Sequence, residues 1–397
     1  MRVLIVKTSS LGDVIHTLPA LTDAAHALPG IRFDWVVEEA FAEIPHWHPA
    51  VDTVIPVAMR RWRKHPLQAR RSGEWAAFRA AIGARRYDAV IDAQGLLKSA
   101  WLARHARGPV HGLDRRSARE PLASLFYHHR HAVAWGRHAV LRVRELFAQA
   151  LGYAAPADSS MAPGDAAAAG SDPYGLDHGR VRAGGAAAPA KETDADSRPY
   201  LVFLHGTTWD TKHWPELYWR RLAERASAAG WQIRLPWGSS AERERAERLA
   251  AGLSAVCVLP RLTLAGVAAQ IVGARACVAV DTGLGHLAAA LAVPTLSLYG
   301  PTNPGFTGAW GFGQRHLATD FACAPCLQKH CTYTPSASER ARPDFAQEQP
   351  LCFTRLGPER VWSELMAMLD GASEATKPEP MTAPPSPPAP TPNPAAR

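Results

Sequence analysis

The 397-residue sequence lacks any uninterrupted apolar run near the roughly 18 residues that cross a bilayer. Its first apolar run, residues 3–6, stops at Lys7 and is too short for the core of a signal peptide. Cysteine is also missing from the first half, because all six cysteines lie between Cys257 and Cys352. These absences argue against a membrane-spanning protein and a disulfide-rich secreted protein, and they predict a cytoplasmic location.

Wholesale disorder is excluded as well, because 47% of the residues are hydrophobic, only 20% are charged and 13 are Trp. Two stretches depart from this composition. Residues 154–197 are almost wholly Ala, Gly, Pro, Ser and Asp and predict a flexible linker, and the Pro-rich residues 372–397 predict a disordered tail. The remaining chain divides into a predicted N-terminal domain, 1–153, and a predicted C-terminal domain, 198–371.

Both of these domains alternate short β-branched runs with Ala- and Leu-rich helical segments. Strands are predicted at residues 2–6, 32–37, 52–57, 88–93, 200–206, 231–238, 255–259, 276–280 and 295–300. Such alternation is typical of a parallel sheet with helices on both faces. The predicted fold class is α/β, with two doubly wound, Rossmann-like domains that face each other across a cleft.

Positive charge is concentrated in the N-terminal domain. Between Arg60 and Arg144 the sequence has 19 Lys and Arg but five Asp and Glu, an excess of 14 positive charges. This bias predicts an anionic partner, either a phosphorylated ligand, an acidic membrane surface or nucleic acid. Nucleic acid is the least favoured of the three, because the stretch matches no nucleic-acid-reading motif.

Ligands of doubly wound sheets bind at the carboxyl ends of strands, so the loops there are the candidate sites. In the loop after the first strand, Asp13 lies at a predicted helix N-terminus, where the helix dipole keeps it ionised. A plain helix-capping role is the alternative. The loop lacks the G-x-G-x-x-G spacing, so a dinucleotide fingerprint is not supported. The matching loop of the C-terminal half carries Thr207, Thr208 and Lys212 before a helix opened by Pro215, which suits a phosphate.

The most specific signal is the run from Asp281 to His286, directly after a predicted strand. Gly283 and Gly285 let backbone N–H groups approach an anion closely, and Thr282 and His286 add donors. Asp281 can bind sugar hydroxyls. Two such loops in one domain predict a diphosphate site, although glycines placed only for tight packing are the alternative.

Metal ligands are poorly represented. The single Asp-x-Asp, Asp194 and Asp196, falls in the low-complexity segment, so no catalytic metal is predicted. Four cysteines resemble a four-thiolate zinc site in number, but their irregular spacing favours reduced thiols over structural zinc. They are Cys323, Cys326, Cys331 and Cys352.

Three blocks of the sequence, MRVLIVKTSSLGDVIHTLPAL, GTTWDTKHWPE and VDTGLGHLAAALAVPTLSLYGPTNPG, resemble the heptosyltransferases of glycosyltransferase family 9. The resemblance implies the GT-B fold and an inverting transfer of L-glycero-D-manno-heptose from ADP-heptose. The implied acceptor is the 5-hydroxyl of the first Kdo of Kdo2-lipid A, in lipopolysaccharide inner-core biosynthesis on the cytoplasmic face of the inner membrane. No cofactor is implied. Enzymes that add the second heptose, other GT-B nucleotide-sugar enzymes and a non-catalytic lipid- or nucleic-acid-binding module are the alternatives.

The same resemblance implies residue roles. Asp13 would be the general base. The donor would be bound by Thr207, Thr208, Lys212, Glu242, Asp281, Thr282, Gly283, Leu284 and His286. The acceptor and its phosphates would be bound by Ser10, Arg60, Arg61, Arg63, Lys64, Lys98 and Arg119. The family commonly has Ser at the position of Gly285, so a donor hydroxyl there is not implied for this chain.

Overall fold

The computed structural model describes residues 1–155, 172–185 and 198–375. In these residues twelve strands form two six-stranded sheets in which every paired strand is parallel. The N-terminal sheet contains β1 (Arg2–Val6), β2 (Arg32–Glu38), β3 (Val51–Val57), β4 (Ala89–Asp92), β5 (Val110–Leu113) and β6 (His129–His131). The C-terminal sheet contains β7 (Tyr200–Leu204), β8 (Gln232–Leu235), β9 (Val256–Val258), β10 (Ala276–Val280), β11 (Thr295–Tyr299) and β12 (Gln314–Ala318).

Helices cover both faces of each sheet. Those of the N-terminal half are α1 (Leu11–Ile15), α2 (Leu18–Ala27), α3 (Glu43–His46), α4 (Met59–Lys64), α5 (Pro66–Arg71), α6 (Glu74–Gly83), α7 (Leu97–Ala103) and α8 (Ala139–Leu151). They are followed by α9 (His178–Gly185), α10 (Glu216–Ala228), α11 (Ser240–Ala250), α12 (Leu264–Val272), α13 (Gly283–Ala290), α14 (Pro304–Thr307), α15 (Ala337–Arg340) and α16 (Pro358–Ala375). Short 3-10 segments lie at Glu39–Phe41, Pro121–Phe126, Asp210–Lys212 and Leu351–Arg355.

The two sheets have the same strand order. The N-terminal sheet runs β3-β2-β1-β4-β5-β6, and the C-terminal sheet runs β12-β11-β10-β7-β8-β9, which is that order read from the other edge. Each sheet therefore reverses its winding between its first and fourth strands, and a crevice opens at the carboxyl ends of those strands. The prediction of two doubly wound domains is confirmed.

Alternate residues of the central strands enter different cores. In β1, Val3 and Ile5 face one apolar cluster while Leu4 and Val6 face another, as the two-residue period of a strand requires. The cluster that receives Val3 also contains Val202 of β7. One apolar core is therefore continuous between the two domains.

Three strands were not predicted from the sequence, namely β5, β6 and β12. β5 has only four residues with Gly112 among them, β12 is mostly polar, and β6 consists of His-Arg-His with two of its three residues exposed. β6 and β12 lie at sheet edges, where one side of the strand needs no burial. The apolar alternation that identifies the central strands is accordingly absent from them.

The prediction that 154–197 is a linker in which nothing packs is wrong for the part that the structure describes. Residues 172–185 contain α9, and Tyr174 and Val181 are fully buried. The Tyr174 hydroxyl donates to the Trp310 carbonyl at 2.9 Å, and the backbone N–H of Asp177 donates to the Trp47 carbonyl at 2.9 Å. This segment therefore contacts both domains. Residues 156–171 and 186–197 lie outside the described residues.

The last helix belongs to the C-terminal domain. α16 packs against α10, and Val361 and Leu365 are buried in the C-terminal core. It continues to Ala375, so the predicted start of the tail at residue 372 is too early, and residues 376–397 lie outside the described residues. In the described residues, no helix combines the length and the apolar character that a membrane span requires.

Candidate active site

A cleft of about 1350 Å³ lies between the carboxyl ends of the two sheets. Residues from both domains line it, and they include every predicted donor-binding residue. These are Thr207, Thr208, Lys212, Glu242, Asp281, Thr282, Gly283, Leu284 and His286, with Ser10 and Arg60 from the acceptor set. The structure thus brings all nine predicted donor residues to one surface.

Asp13 is the third residue of α1, which begins two residues before it at Leu11. Its Oδ2 accepts hydrogen bonds from the backbone N–H and from the hydroxyl of Ser10, both at 2.8 Å. Its Oδ1 lies 3.9 Å from Lys7 Nζ and accepts no hydrogen bond from the described residues. Partial burial would raise the pKa of Asp13, but Lys7 and the two Ser10 hydrogen bonds outweigh it and lower that pKa. The carboxylate is therefore ionised, and one oxygen is available to a ligand.

A second loop, after β4, holds the Asp13 loop in place. The Gln94 side-chain oxygen accepts from the backbone N–H and the hydroxyl of Thr8, both at 2.8 Å, and its amide donates to the Ser9 carbonyl at 2.9 Å. The buried Lys7 ammonium donates to the Ala93 carbonyl at 2.9 Å. These bonds fix the backbone that carries Asp13.

The N-terminus of α13 faces α1 across the cleft at very short range. A Cβ on Gly283 would lie 2.7 Å from Leu11 Cβ, and a Cβ on Gly12 would lie 2.6 Å from His286 Cδ2. Only glycine permits this approach of the two helix ends. The backbone N–H groups of the first turn of α13 consequently open into the cleft beside Asp13.

Asp281 and Lys212 form an ion pair on the C-terminal side of the cleft. Lys212 Nζ lies 2.7 Å from Asp281 Oδ2, which also accepts from the Thr302 hydroxyl at 2.6 Å. The Thr207 hydroxyl donates to the Asp281 carbonyl at 3.1 Å. The Lys212 ammonium also lies 4.5 Å above the centre of the Trp209 ring. These contacts place a cation next to the N-terminus of α13.

Glu242 joins two further loops. Its Oε2 accepts from the backbone N–H groups of Gly238 and Ser239 at 2.7 and 3.1 Å, and a Cβ on Gly206 would lie 2.5 Å from its Oε1. An apolar wall stands nearby, made of residues that the sequence analysis did not single out. They are Pro236, Trp237, Leu262, Leu264 and Val267. Apolar residues of this kind are also common in protein cores, so the sequence gives no signal that they line a cleft.

Three buried histidines meet where the domains touch, and the sequence analysis identified only His286 among them. His16 Nε2 lies 3.1 Å from His286 Nδ1, and His138 Nε2 lies 3.1 Å from the Gly308 carbonyl. Burial lowers the pKa of His286, although Asp281 and Asp13 oppose the change. Burial also lowers the pKa of His16 well below its usual value and that of His138 to about 3. All three rings are neutral at pH 7.

The predicted acceptor residues differ in their surroundings. Arg60 lines the cleft and lies over the Phe41 ring at 5.5 Å. Arg61 pairs with both Glu39 and Glu74, so its charge is largely satisfied within the protein. Lys98 Nζ lies 3.5 Å from the Ser9 hydroxyl, next to the Asp13 loop. The other three are exposed and do not line the cleft, namely Arg63, Lys64 and Arg119.

The helix that follows the Thr207 loop differs from the expectation. α10 begins at Glu216, whose carboxylate pairs with Arg248 and Arg245, and no residue of α10 lines the cleft. Within the basic stretch, Arg144 is buried and pairs with Asp23 at 2.6 Å. Of the two helix N-termini expected at the site, only that of α13 lines the cleft.

The four clustered cysteines line one small cavity of the C-terminal domain, away from the cleft. Burial raises the pKa of Cys352 to about 12, and the other three thiols reinforce the change. In the described ranges, no three His, Cys, Asp or Glu side chains are arranged as a metal-binding group. Asp194 and Asp196 lie outside those ranges.

Known proteins match this chain over most of its length. The glycosyltransferase family 9 (heptosyltransferase) model matches residues 75–337. Lipopolysaccharide heptosyltransferase 1 of Pseudomonas aeruginosa is 65% identical over 371 residues, which cover 93% of this chain and 98% of that relative. The structure of E. coli heptosyltransferase WaaC with ADP is 53% identical with a TM-score of 0.70, and that of WaaC with ADP-2-deoxy-2-fluoro heptose is 51% identical with a TM-score of 0.67. Both matches cover 80% of this chain and 93% of the solved chain.

Proposed function

The chain belongs to glycosyltransferase family 9, and on this basis we propose that it transfers heptose from ADP-L-glycero-D-manno-heptose, with inversion, to the 5-hydroxyl of the first Kdo of Kdo2-lipid A. Heptose transfer in lipopolysaccharide core biosynthesis is its activity. One observation carries the mechanism. The end of α1, the helix that carries the ionised Asp13, and the N-terminus of α13 meet at the cleft, where Gly12 and Gly283 allow the two helix ends to approach each other.

Asp13 is the general base of this proposal. Its Oδ1 accepts no hydrogen bond from the described residues, so it can accept the proton of the acceptor hydroxyl. The hydroxyl oxygen bonds to the anomeric carbon as the bond from that carbon to the diphosphate breaks on the opposite face. In an oxocarbenium-like transition state the proton moves late, when the attacking hydroxyl has become acidic. A lowered carboxylate pKa is then compatible with base catalysis.

The departing ADP needs its growing negative charge stabilised, and the opposite domain has the groups for it. The first-turn N–H groups at Thr282, Gly283 and Leu284 would bind the diphosphate, with Lys212 and His286 beside them. Because Lys212 already contacts Asp281 at 2.7 Å, a ligand phosphate would bind a cation that is held in place. The hydroxyls of Thr207 and Thr208 complete the set.

The remaining cleft residues would bind the rest of the two substrates. Glu242 is placed between two loops and would accept from the ribose hydroxyls, while the apolar wall with Trp237 and Leu264 suits a purine. Asp281 would accept from heptose hydroxyls. The acceptor set would contact the Kdo and the lipid A phosphates, with Ser10 as a hydroxyl and six basic residues for the carboxylates and phosphates. These six are Arg60, Arg61, Arg63, Lys64, Lys98 and Arg119.

The proposal extends to the place of action. A lipid acceptor requires the enzyme to work at a membrane surface, and the excess of 14 positive charges between Arg60 and Arg144 suits the anionic cytoplasmic face of the inner membrane. We propose peripheral association there. No divalent metal is required in this scheme, because helix N–H groups and Lys212 stabilise the leaving diphosphate.

The experiment that tests the proposal is ADP release from ADP-heptose, measured with and without purified Kdo2-lipid A and with a chelator in place of divalent metal. Release that depends on the acceptor and continues in the chelator is expected. A heptosylated Kdo2-lipid A offered as a second acceptor checks the alternative enzyme, because preferential turnover of that substrate would identify addition of the second heptose. Loss of turnover in the chelator would show that the scheme lacks a metal.

A further inference from the structure

An exposed apolar face lies on the N-terminal domain beside the cleft. Leu97 and Trp101 of α7 are 39% and 40% exposed, and Leu122 and Leu125 of the 3-10 segment Pro121–Phe126 are 57% and 67% exposed. The first pair is spaced by four residues on an α-helix and the second by three on a 3-10 helix, so each pair shares one face of its element. We call these four residues the α7 face.

Both pairs point to the same side of the domain. Ala100 and Ala103 of α7 and Ala123 of the 3-10 segment are buried in one apolar core, so the opposite faces of both elements turn outward together. The Glu120 carboxylate joins the two elements by accepting from the backbone N–H of Leu97 at 2.6 Å. The α7 face is therefore one continuous surface.

This surface is held rigidly. The Trp101 ring stacks on Trp75 at 4.9 Å with an interplanar angle of 7°, and it meets the His105 ring at 5.0 Å. An indole held in this way with 40% of the residue exposed presents a fixed apolar edge to solvent. Indole side chains are favoured where an apolar region meets water, as at the surface of a bilayer.

Positive charge surrounds the apolar residues. Residues 97–130 contain seven Lys and Arg and two Asp and Glu. Within the described part of the chain, none of the seven pairs with a carboxylate, and Arg104 lies over the Phe126 ring at 5.6 Å. This rim is complementary to anionic lipid headgroups, whereas a second copy of the chain would present the same charge and be repelled.

The α7 face also adjoins the acceptor side of the cleft. α7 starts immediately after the loop that holds the Asp13 backbone, and Lys98 Nζ lies 3.5 Å from the Ser9 hydroxyl. A surface in contact with lipid at this position would bring headgroup-level sugars to Ser10 and Asp13.

We propose that the α7 face, formed by Leu97, Trp101, Leu122 and Leu125, inserts into the outer part of an anionic lipid leaflet and so places the acceptor end of the cleft at the headgroups. The proposal deepens the proposed function, since it states how the enzyme reaches a lipid-linked acceptor. It rests on that function only for its biological purpose, because lipid binding can be measured without substrate.

The test is flotation of the full chain with vesicles of phosphatidylglycerol and phosphatidylethanolamine. The double variant Leu122→Ser/Leu125→Ser is expected to lose at least about tenfold in vesicle affinity, because two leucine side chains no longer leave water. The matched control is Leu327→Ser, which alters a 63% exposed leucine of the C-terminal domain and should bind as the wild type does.

Turnover separates this proposal from the proposed function. With a deacylated, water-soluble Kdo acceptor the double variant should release ADP at the wild-type rate, and with Kdo2-lipid A in vesicles it should be slower by the loss in binding. Wild-type vesicle affinity in the double variant would overturn the proposed insertion. The proposal would also be overturned if the wild type is a dimer and the double variant is a monomer that still binds vesicles. Absence of turnover by the wild type on either acceptor would instead overturn the proposed function.

Discussion

The two domains share one strand order, but at the crevice between its first and fourth strands they present opposite charges. In the N-terminal domain the loop after β1 presents Asp13, whose pKa is lowered by Lys7 and the Ser10 hydrogen bonds against the effect of burial. In the C-terminal domain the helix after β10 presents backbone N–H groups with Lys212 beside them. The fold thus supplies two helix N-termini, and the residues around them decide whether each one stabilises the protein's own carboxylate or a ligand's anion.

The two helix N-termini differ in how far their own side chains occupy them. α1 has only five residues and carries its own carboxylate, Asp13, which accepts from the backbone N–H of Ser10 at the start of the helix, so little positive potential remains for a ligand. α13 has no acidic residue in its first turn and no side-chain cap, so its donors remain for the cleft. A proton acceptor on one side and an anion site on the other define where the acceptor sugar and the departing diphosphate lie.

The largest effect is expected from removing the carboxylate of the N-terminal domain. Asp13→Asn should lower turnover by about 10² to 10⁴, the range for a lost general base, while donor affinity stays near the wild-type value. Steady-state ADP release with both substrates varied measures the two quantities separately. Asp210→Asn, which changes an exposed Asp of the C-terminal domain, is the control. Turnover near the wild-type rate in the Asp13 variant would remove Asp13 from the role of base.

Breaking the C-terminal half should act on donor binding instead. Lys212→Ala removes a charge-assisted contact to the diphosphate and leaves Asp281, which is buried, without its cation. A contact of this type contributes about 1.5 to 3 kcal/mol, so kcat/KM for ADP-heptose should fall roughly 10- to 150-fold. Isothermal titration with ADP checks the binding component. Lys329→Ala, the second Lys near the Trp209 ring at 5.9 Å, should bind ADP as the wild type does.

The parts of the candidate site that could be predicted from the sequence are those that depend on local interactions. Asp13 and the run from Thr282 to His286 carry their chemistry within a few residues of a strand end, and the structure brings the two helix ends that contain them together at one cleft. The contribution of His16 depends on a ring 270 positions away. The packing of residues 172–185 likewise depends on contacts with α12 and Trp310, which lie far away in the sequence. The composition of this segment alone therefore could not predict that it packs.

The close approach of α1 and α13 can be tested at Gly12. Gly12→Ala would place a Cβ 2.6 Å from the His286 ring and push the Asp13 loop and α13 apart. Misplacement of reacting groups on this scale should reduce kcat/KM on the order of tenfold or more. Kinetics on a variant with an unchanged Tm is the measurement. Gly83→Ala, at the end of α6 with its nearest neighbour at 3.5 Å, is the control and should retain wild-type activity. Unchanged kinetics in Gly12→Ala would show that the two ends need not touch.

The smallest effect concerns the neutral histidines between the two charged loops. Burial lowers the pKa of His138 to about 3 from 6.5, the ordinary value that it regains on unfolding. Below pH 6.5 the unfolded chain therefore binds a proton that the folded chain does not, so the free energy of unfolding falls as pH decreases from about 6.5 toward 3. Urea unfolding between pH 7.5 and 5 measures this slope. His138→Asn keeps a side chain that can cap α8, where His138 accepts from the Val140 N–H, and it should flatten the slope. The exposed His65→Asn is the control. Equal slopes of the free energy of unfolding against pH in the two variants would contradict a lowered pKa for His138.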